Sequence, residues 1–113
     1  MSPATFSEHI IRILVVTLKD RIDAFSAPQI REQLHAKLEA GQSLFVVDLS
    51  ETPFLDSAGM AVLVSLLKGS RQAGGDVKLV WPQHEGASRI LHLTKFDRVF
   101  EMADTVDEAL QMF

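Results

Sequence analysis

The chain contains no cysteine. That removes a disulfide framework, a thiolate nucleophile and any cysteine-bound metal, and it fits a reducing compartment. No apolar tract approaches the ~20 residues needed to span a bilayer; the longest nearly apolar run is Ala58 to Leu67. Met1 to His9 lacks the apolar segment of a signal peptide. A cytoplasmic location without direct membrane insertion is therefore expected. Eleven Lys and Arg stand against fifteen Asp and Glu, a formal charge of −4, with no basic cluster. Nucleic acid is therefore not an expected partner. No G-x-x-x-x-G-K-[ST] and no G-x-G-x-x-G occurs, so nothing supports a nucleotide cofactor. His9, His35, His84 and His92 show no metal-ligand spacing, so no metal is expected. There is no internal repeat and no low-complexity tract.

What is present suits one globular domain spanning 1–113, since 113 residues at 47% hydrophobic content suffice for a single core. Ile10 to Leu18 is rich in β-branched residues and reads as a strand largely buried on both faces. Lys19-Asp20-Arg21 reads as a turn, and Ile22 as the start of a short second strand forming a hairpin-like antiparallel edge. Ser26 with Gln29 has the spacing of a capping box, and Phe25 with Ile30 that of a hydrophobic staple. Pro28 is tolerable in a first helical turn. Ile30, Leu34 and Leu38 then recur on one helical face, and Gly41 ends the helix. Leu44 to Leu49 reads as the central buried strand. A helix follows from Ser57 to about Ala73, stopped by Gly74-Gly75. Val77 to Trp81 is a strand closed by Pro82, Ala87 to Leu93 a short helix, and Val99 to Met102 a last short strand. Thr105 with Glu108 forms a second capping box ahead of a helix carrying Ala109, Leu110 and Phe113. Strands alternating with helices predict an α/β fold. The expected architecture is a mixed four- to five-stranded sheet, mostly parallel, with helices mainly on one face.

The chain is organised around Val46-Val47-Asp48-Leu49-Ser50-Glu51-Thr52-Pro53-Phe54-Leu55-Asp56-Ser57-Ala58-Gly59-Met60, which runs from a buried strand into a helix. Asp56 or Ser57 can cap that helix. A hydroxyl placed there meets unpaired backbone N–H groups and the positive end of the helix dipole, a suitable place to attach and read a phosphate.

These residues resemble the STAS domain, specifically the free-standing bacterial anti-sigma factor antagonists. The resemblance runs from about Ile10 to Phe113. It is strongest at Val46-Val47-Asp48-Leu49-Ser50 and Phe54-Leu55-Asp56-Ser57-Ala58-Gly59-Met60. Weaker support comes from Arg21-Ile22-Asp23, Gly74-Gly75-Asp76, Arg89 to Thr94 and Val99-Phe100. The resemblance implies a regulator, not an enzyme. It would bind an anti-sigma factor serine kinase, be released when Ser57 is phosphorylated, and be restored by a serine phosphatase. By position it marks Asp56 as the motif acid next to Ser57 and Asp23 as an acid on the adjacent loop. Gly59, Met60 and Val64 are added as partner-binding candidates, the last two from the outer edge of an over-apolar helix. Three positions depart from the family pattern: Asp20 and Arg21 stand where Gly-Glu is frequent, and Lys95 where a Gly is frequent.

Two rival functions remain open. A STAS subunit of a membrane transport complex would share the fold without a phosphorylation cycle. A small hydrolase would use Ser57 as nucleophile, but Leu55 stands where a G-x-S-x-G elbow requires its first Gly.

Overall fold

The computed structural model describes residues 3–113; Met1 and Ser2, the first residues of the Met1–His9 stretch, lie outside it. The elements are β1 (Leu14–Thr17), α1 (Ala27–Glu39), β2 (Leu44–Asp48), α2 (Ser57–Gln72), β3 (Asp76–Val80), α3 (Glu85–Leu93), α4 (Phe96–Val99), β4 (Glu101–Ala103) and α5 (Val106–Gln111). The strands form one sheet in the order β1-β2-β3-β4. All three pairings are parallel.

The α/β sheet therefore has four strands, within the expected four or five. Among the described residues the expected antiparallel edge is not formed. Ile22 does not turn back on β1 but makes a single parallel bridge to Leu55 in the motif loop. Strand β1 is also shorter than the apolar run predicts and lies at the edge of the sheet. Ile10 and Ile11 are exposed, and within β1 exposure alternates, so this run is not buried on both faces. Composition favours extended backbone at Ile10–Ile13, but only residues from Leu14 onward meet β2.

β2 is an interior strand, in register with Val16 of β1 and Leu79 of β3 at Val47. Side-chain alternation sorts the core into two layers. Phe45, Val47 and Leu49 join Val77 and Leu79 beneath α1, α2 and α3. Val46, Val80 and Ala103 point the other way and are covered by α5 through Ala109, Val106 and Leu110. Val46 and Val47 are fully buried, and such side chains contribute about 1.5–3 kcal/mol each. Lys78 sits on the α5 side, its Nζ 3.0 Å from Asp76 Oδ2 and 2.8 Å from Glu101 Oε2.

Helix α1 shows the predicted stripe, with Leu34 buried and Ile30 and Leu38 against the core. Its expected capping box is replaced. The Ser26 hydroxyl makes no cap bond to α1; it accepts from the Asp23 N–H and donates to the Arg21 carbonyl instead. The Phe25–Ile30 staple also fails, because Phe25 is 94% exposed. At α5 the box is half realised, with Thr105 accepting from the Glu108 N–H at 3.1 Å. The residues read as the start of the last strand instead close α4, so β4 begins at Glu101. Lys95 precedes α4 in the left-handed region at φ 61°, which accounts for a glycine being suited to that position. Asp20 is not at positive φ, so its turn needs no left-handed residue.

Candidate functional site

The site is built where β2 hands over to α2. Leaving the sheet, Asp48 Oδ1 accepts from the Ser50 N–H at 3.0 Å and tightens the exit turn. Thr52 is fully buried, and its hydroxyl donates to the Leu18 carbonyl beyond β1. Ile22 then clamps the loop from the side: its N–H donates to the Phe54 carbonyl at 3.0 Å, and its carbonyl accepts from the Asp56 N–H at 3.2 Å. Two segments thirty residues apart in sequence thus share a short parallel ladder. Asp23 is carried to the same edge as Asp56 and Ser57.

Asp56, not Ser57, is the N-cap of α2. Its Oδ1 accepts from the N–H groups of Ala58 at 2.8 Å and Gly59 at 3.1 Å. Its backbone is extended, at φ −107° and ψ −169°, as a cap residue requires. Ser57 is the first residue of the helix and is exposed. Among the described residues no intrachain hydrogen bond uses its Oγ. The cap role that Ser57 could have held belongs to its neighbour, and the hydroxyl stands at the surface at the positive end of a 16-residue helix. The N–H groups expected to be free there are partly taken, since the Asp56 carboxylate already occupies two.

Gly59 is buried. A Cβ at this position would lie 2.4 Å from the Ile22 carbonyl oxygen and 2.9 Å from Ile22 Cγ2. The glycine is needed for close approach, which lets the first turn of α2 rest against the Ile22 backbone. Gly59 therefore holds the two halves of the site together rather than offering a surface. Met60 is half-buried against the core. Val64, one turn further, is 41% exposed.

Asp23 is half-buried, with its carboxylate engaged locally. Oδ1 accepts from the N–H groups of Phe25 at 3.0 Å and Ser26 at 3.2 Å, while Oδ2 lies 3.5 Å from Arg21 Nε. The Ser26 N–H leads in holding the carboxyl below its ordinary range; burial opposes it, and the Phe25 N–H and the Arg21 charge reinforce the lowering. The Arg21 guanidinium also lies over the Phe54 ring, 4.7 Å from its centroid. The positive charge introduced by the Arg21 departure is thereby paired with Asp23 and packed on the motif loop.

Sequence reasoning missed Phe25. It read this residue as a helix staple, whereas the Asp23 turn leaves the ring in solvent. The available signal was Asp23 itself, an acid spaced to accept from the N–H groups two and three residues on. Among the described residues no group of three or more His, Asp or Glu side chains is placed to hold a metal ion. No helix among the described residues is long and apolar enough to cross a membrane. The groove between α1 and α2, about 390 Å³, is lined by Pro28, Arg31, His35, Leu38 and Val62 among others, and Ser57 is not part of its wall.

The sequence profile described as the STAS domain matches residues 5–109. A protein of Thermotoga maritima named as a candidate anti-sigma factor antagonist is 35% identical over 74 residues, covering 66% of this chain and 65% of its own length. The anti-sigma-B factor antagonist of Bacillus subtilis is 36% identical over 64 residues, 57% of this chain and 58% of its own. The matched stretch therefore spans less than two thirds of either relative. Among solved structures, an anti-sigma factor antagonist from Mycobacterium paratuberculosis superposes with a TM-score of 0.80 at 28% identity, covering 96% of this chain and 92% of that one.

Proposed function

The chain belongs to the STAS domain family, and from that premise we propose that it is a cytoplasmic anti-sigma factor antagonist switched by phosphorylation of Ser57. In this reading the unphosphorylated chain binds an anti-sigma factor that is itself a serine kinase. Phosphorylation of Ser57 ends the binding, and a serine phosphatase restores it. The chain performs no catalysis of its own.

The observation that carries the proposal is the division of labour between Asp56 and Ser57. With Asp56 capping the helix, Ser57 has no structural task and its hydroxyl faces solvent, open to a kinase. A phosphate there adds about −1.5 to −2 charge beside a carboxylate. Two helix N–H groups that could have neutralised it are already committed to Asp56. The added charge acts on whatever docks against this edge, through repulsion and the cost of desolvating a hydrated dianion. The docking surface comprises Asp23, Asp56, Ser57 and Val64, with Met60 at its margin. Gly59 contributes by position. Phe25 extends the surface with an exposed aromatic ring, a residue type that anchors protein interfaces.

Relatives named as antagonists favour this reading over a transport-complex subunit or a hydrolase. The chain should be used as bait in a lysate of its native cell, with and without ATP. A serine kinase of the anti-sigma type should be retained without ATP and released with it. Retention of a transporter ATPase instead would establish the rival assignment.

A further inference from the structure

Among the described residues eight large apolar side chains are exposed, and four of them fall between residues 6 and 15: Phe6, Ile10, Ile11 and Val15. They occupy β1 and the segment before it, at a sheet edge whose outer side meets no other strand among the described residues.

The hydrogen bonds fix which backbone groups face outward. The Leu18 N–H donates to the Asp48 carbonyl, and the Arg12 carbonyl accepts from Gln42 Nε2 at 2.9 Å. Even-numbered residues thus turn their backbone toward β2, and strand alternation aims those of Ile11, Ile13, Val15 and Thr17 away from the sheet. Edges of this kind are ordinarily blunted by Lys, Pro, a bulge or a covering element. Residues 13–17, Ile-Leu-Val-Val-Thr, contain no charge and no Pro.

We propose that this edge pairs with the same edge of a second copy, forming a twofold antiparallel dimer with a continuous eight-stranded sheet. Outward-facing residues must oppose one another in such a pairing. A twofold axis through Ile13 satisfies this and sets Ile11 opposite Val15 and Ile10 opposite Val16 of the second copy, apolar against apolar, with Arg12 opposite Leu14 so that no like charges meet. Shifting the axis to Arg12 would oppose two like charges, which is unfavourable. The arm does not double back on its own β1 because Ile10-Ile11-Arg12-Ile13 offers no Gly, Pro, Asn or Asp for a tight turn. Isologous pairing is closed, so it ends at two copies and does not propagate.

The parallel sheet makes this dimer compatible with the proposed switch. Ser57 follows the C-terminal end of β2, whereas the arm precedes the N-terminal end of β1, so the two surfaces lie at opposite ends of the strands. Neither proposal depends on the other.

Sedimentation equilibrium over a range of concentrations tests the dimer. The chain should approach a mass twice its own 12.5 kDa. Val15→Pro removes only an outward N–H and adds none toward β2, so it should raise the dissociation constant at least about tenfold while retaining the native circular dichroism. Ile10→Lys with Ile11→Lys, both on the exposed arm, should do the same should Val15→Pro fail to fold. Because the chain has no cysteine, Ile13→Cys should form an intermolecular disulfide on mild oxidation; an antiparallel pair on the axis sets Cα atoms ~5.5 Å apart, within disulfide reach. A monomer at every concentration, or dimerisation unchanged by the folded variants, would overturn the proposal.

Discussion

Gly59→Ala should damage the site by one identifiable collision. The new methyl carbon would lie 2.4 Å from the Ile22 carbonyl oxygen, about 1 Å inside ordinary contact. Ile22 cannot simply move aside. Its N–H is bonded to the Phe54 carbonyl, its carbonyl receives the Asp56 N–H, and its side chain is 1% exposed. Relief requires stretching the Asp56–Ile22 bond, worth about 0.5–1.5 kcal/mol, and accepting overpacking of about 1–3 kcal/mol. Alanine returns up to about 1 kcal/mol of helix propensity. The balance is a loss of about 1–3 kcal/mol, or roughly 3–12 °C in Tm for a chain of this size. Gly86→Ala is the internal control, because a Cβ at Gly86 meets nothing within 4 Å and should be neutral or stabilising by up to about 1 kcal/mol. Thermal unfolding by circular dichroism reads both. A Gly59→Ala variant as stable as the parent would refute the account of how the Ile22 ladder holds the motif.

Other consequences are separable from that one. Lys95→Gly should stabilise the fold by about 0.5–1 kcal/mol, since Lys95 occupies the left-handed region; denaturant titration showing destabilisation would contradict this. Val64→Lys and Phe25→Ser alter exposed side chains and should each weaken binding to the captured kinase while moving Tm by less than about 2 °C. Met60→Lys is a poorer probe because Met60 packs on the core, so its Tm should fall. Asp23 and Asp76 both have carboxyls held below their ordinary value of 3.8. For Asp23 the Ser26 N–H is the leading cause; for Asp76 burial acts in the opposite direction and is outweighed by the Lys78 ammonium and the Val77 N–H. A depressed folded-state value means stability fully present above that ordinary value and lost as the pH falls through the folded one. Asp23→Asn should therefore shallow the acid limb of the stability profile, and an unchanged limb would count against the turn described.

The central part of the chain was legible because several local signals agreed there. Leu44 to Leu49 is apolar but for Asp48, α2 is bounded by Asp56 and Gly74-Gly75, and the structure places both as expected. What was not legible depended on pairing. The β-branched run at Ile10–Ile13 favours extended backbone, but a strand exists only where a neighbour supplies hydrogen bonds, and β2 reaches no further than Leu14. Ile22 was read as the return of a hairpin because it follows a charged turn; its partner lies more than thirty residues on, in a loop whose path no local pattern encodes. At the start of α1 two capping patterns competed. Ser26 matched one by spacing, but Asp23 accepts the Phe25 and Ser26 N–H groups and draws the Ser26 hydroxyl back toward Arg21. That exchange exposes Phe25, so one misread cap concealed a candidate contact residue. For Ser57 the sequence left two roles open, cap and phosphate acceptor, and the structure assigns the cap to Asp56.

Ser57→Asp and the phosphorylated chain provide the most direct test of the switch. An acid at the first helical position gains about 0.3–1 kcal/mol from the helix dipole and loses a similar amount, roughly 0.5–1 kcal/mol, to the neighbouring Asp56 carboxylate in a solvent-exposed setting. The fold should therefore be little changed. The captured kinase should be incubated with the chain and ATP, the phosphosite mapped by mass spectrometry, and affinity measured by calorimetry before and after. One phosphate, on Ser57, is expected, with a loss of at least about tenfold in affinity. Ser57→Ala should stay bound in the presence of ATP. Phosphate found only on another residue, or Ser57→Asp binding as tightly as the parent, would contradict the switch.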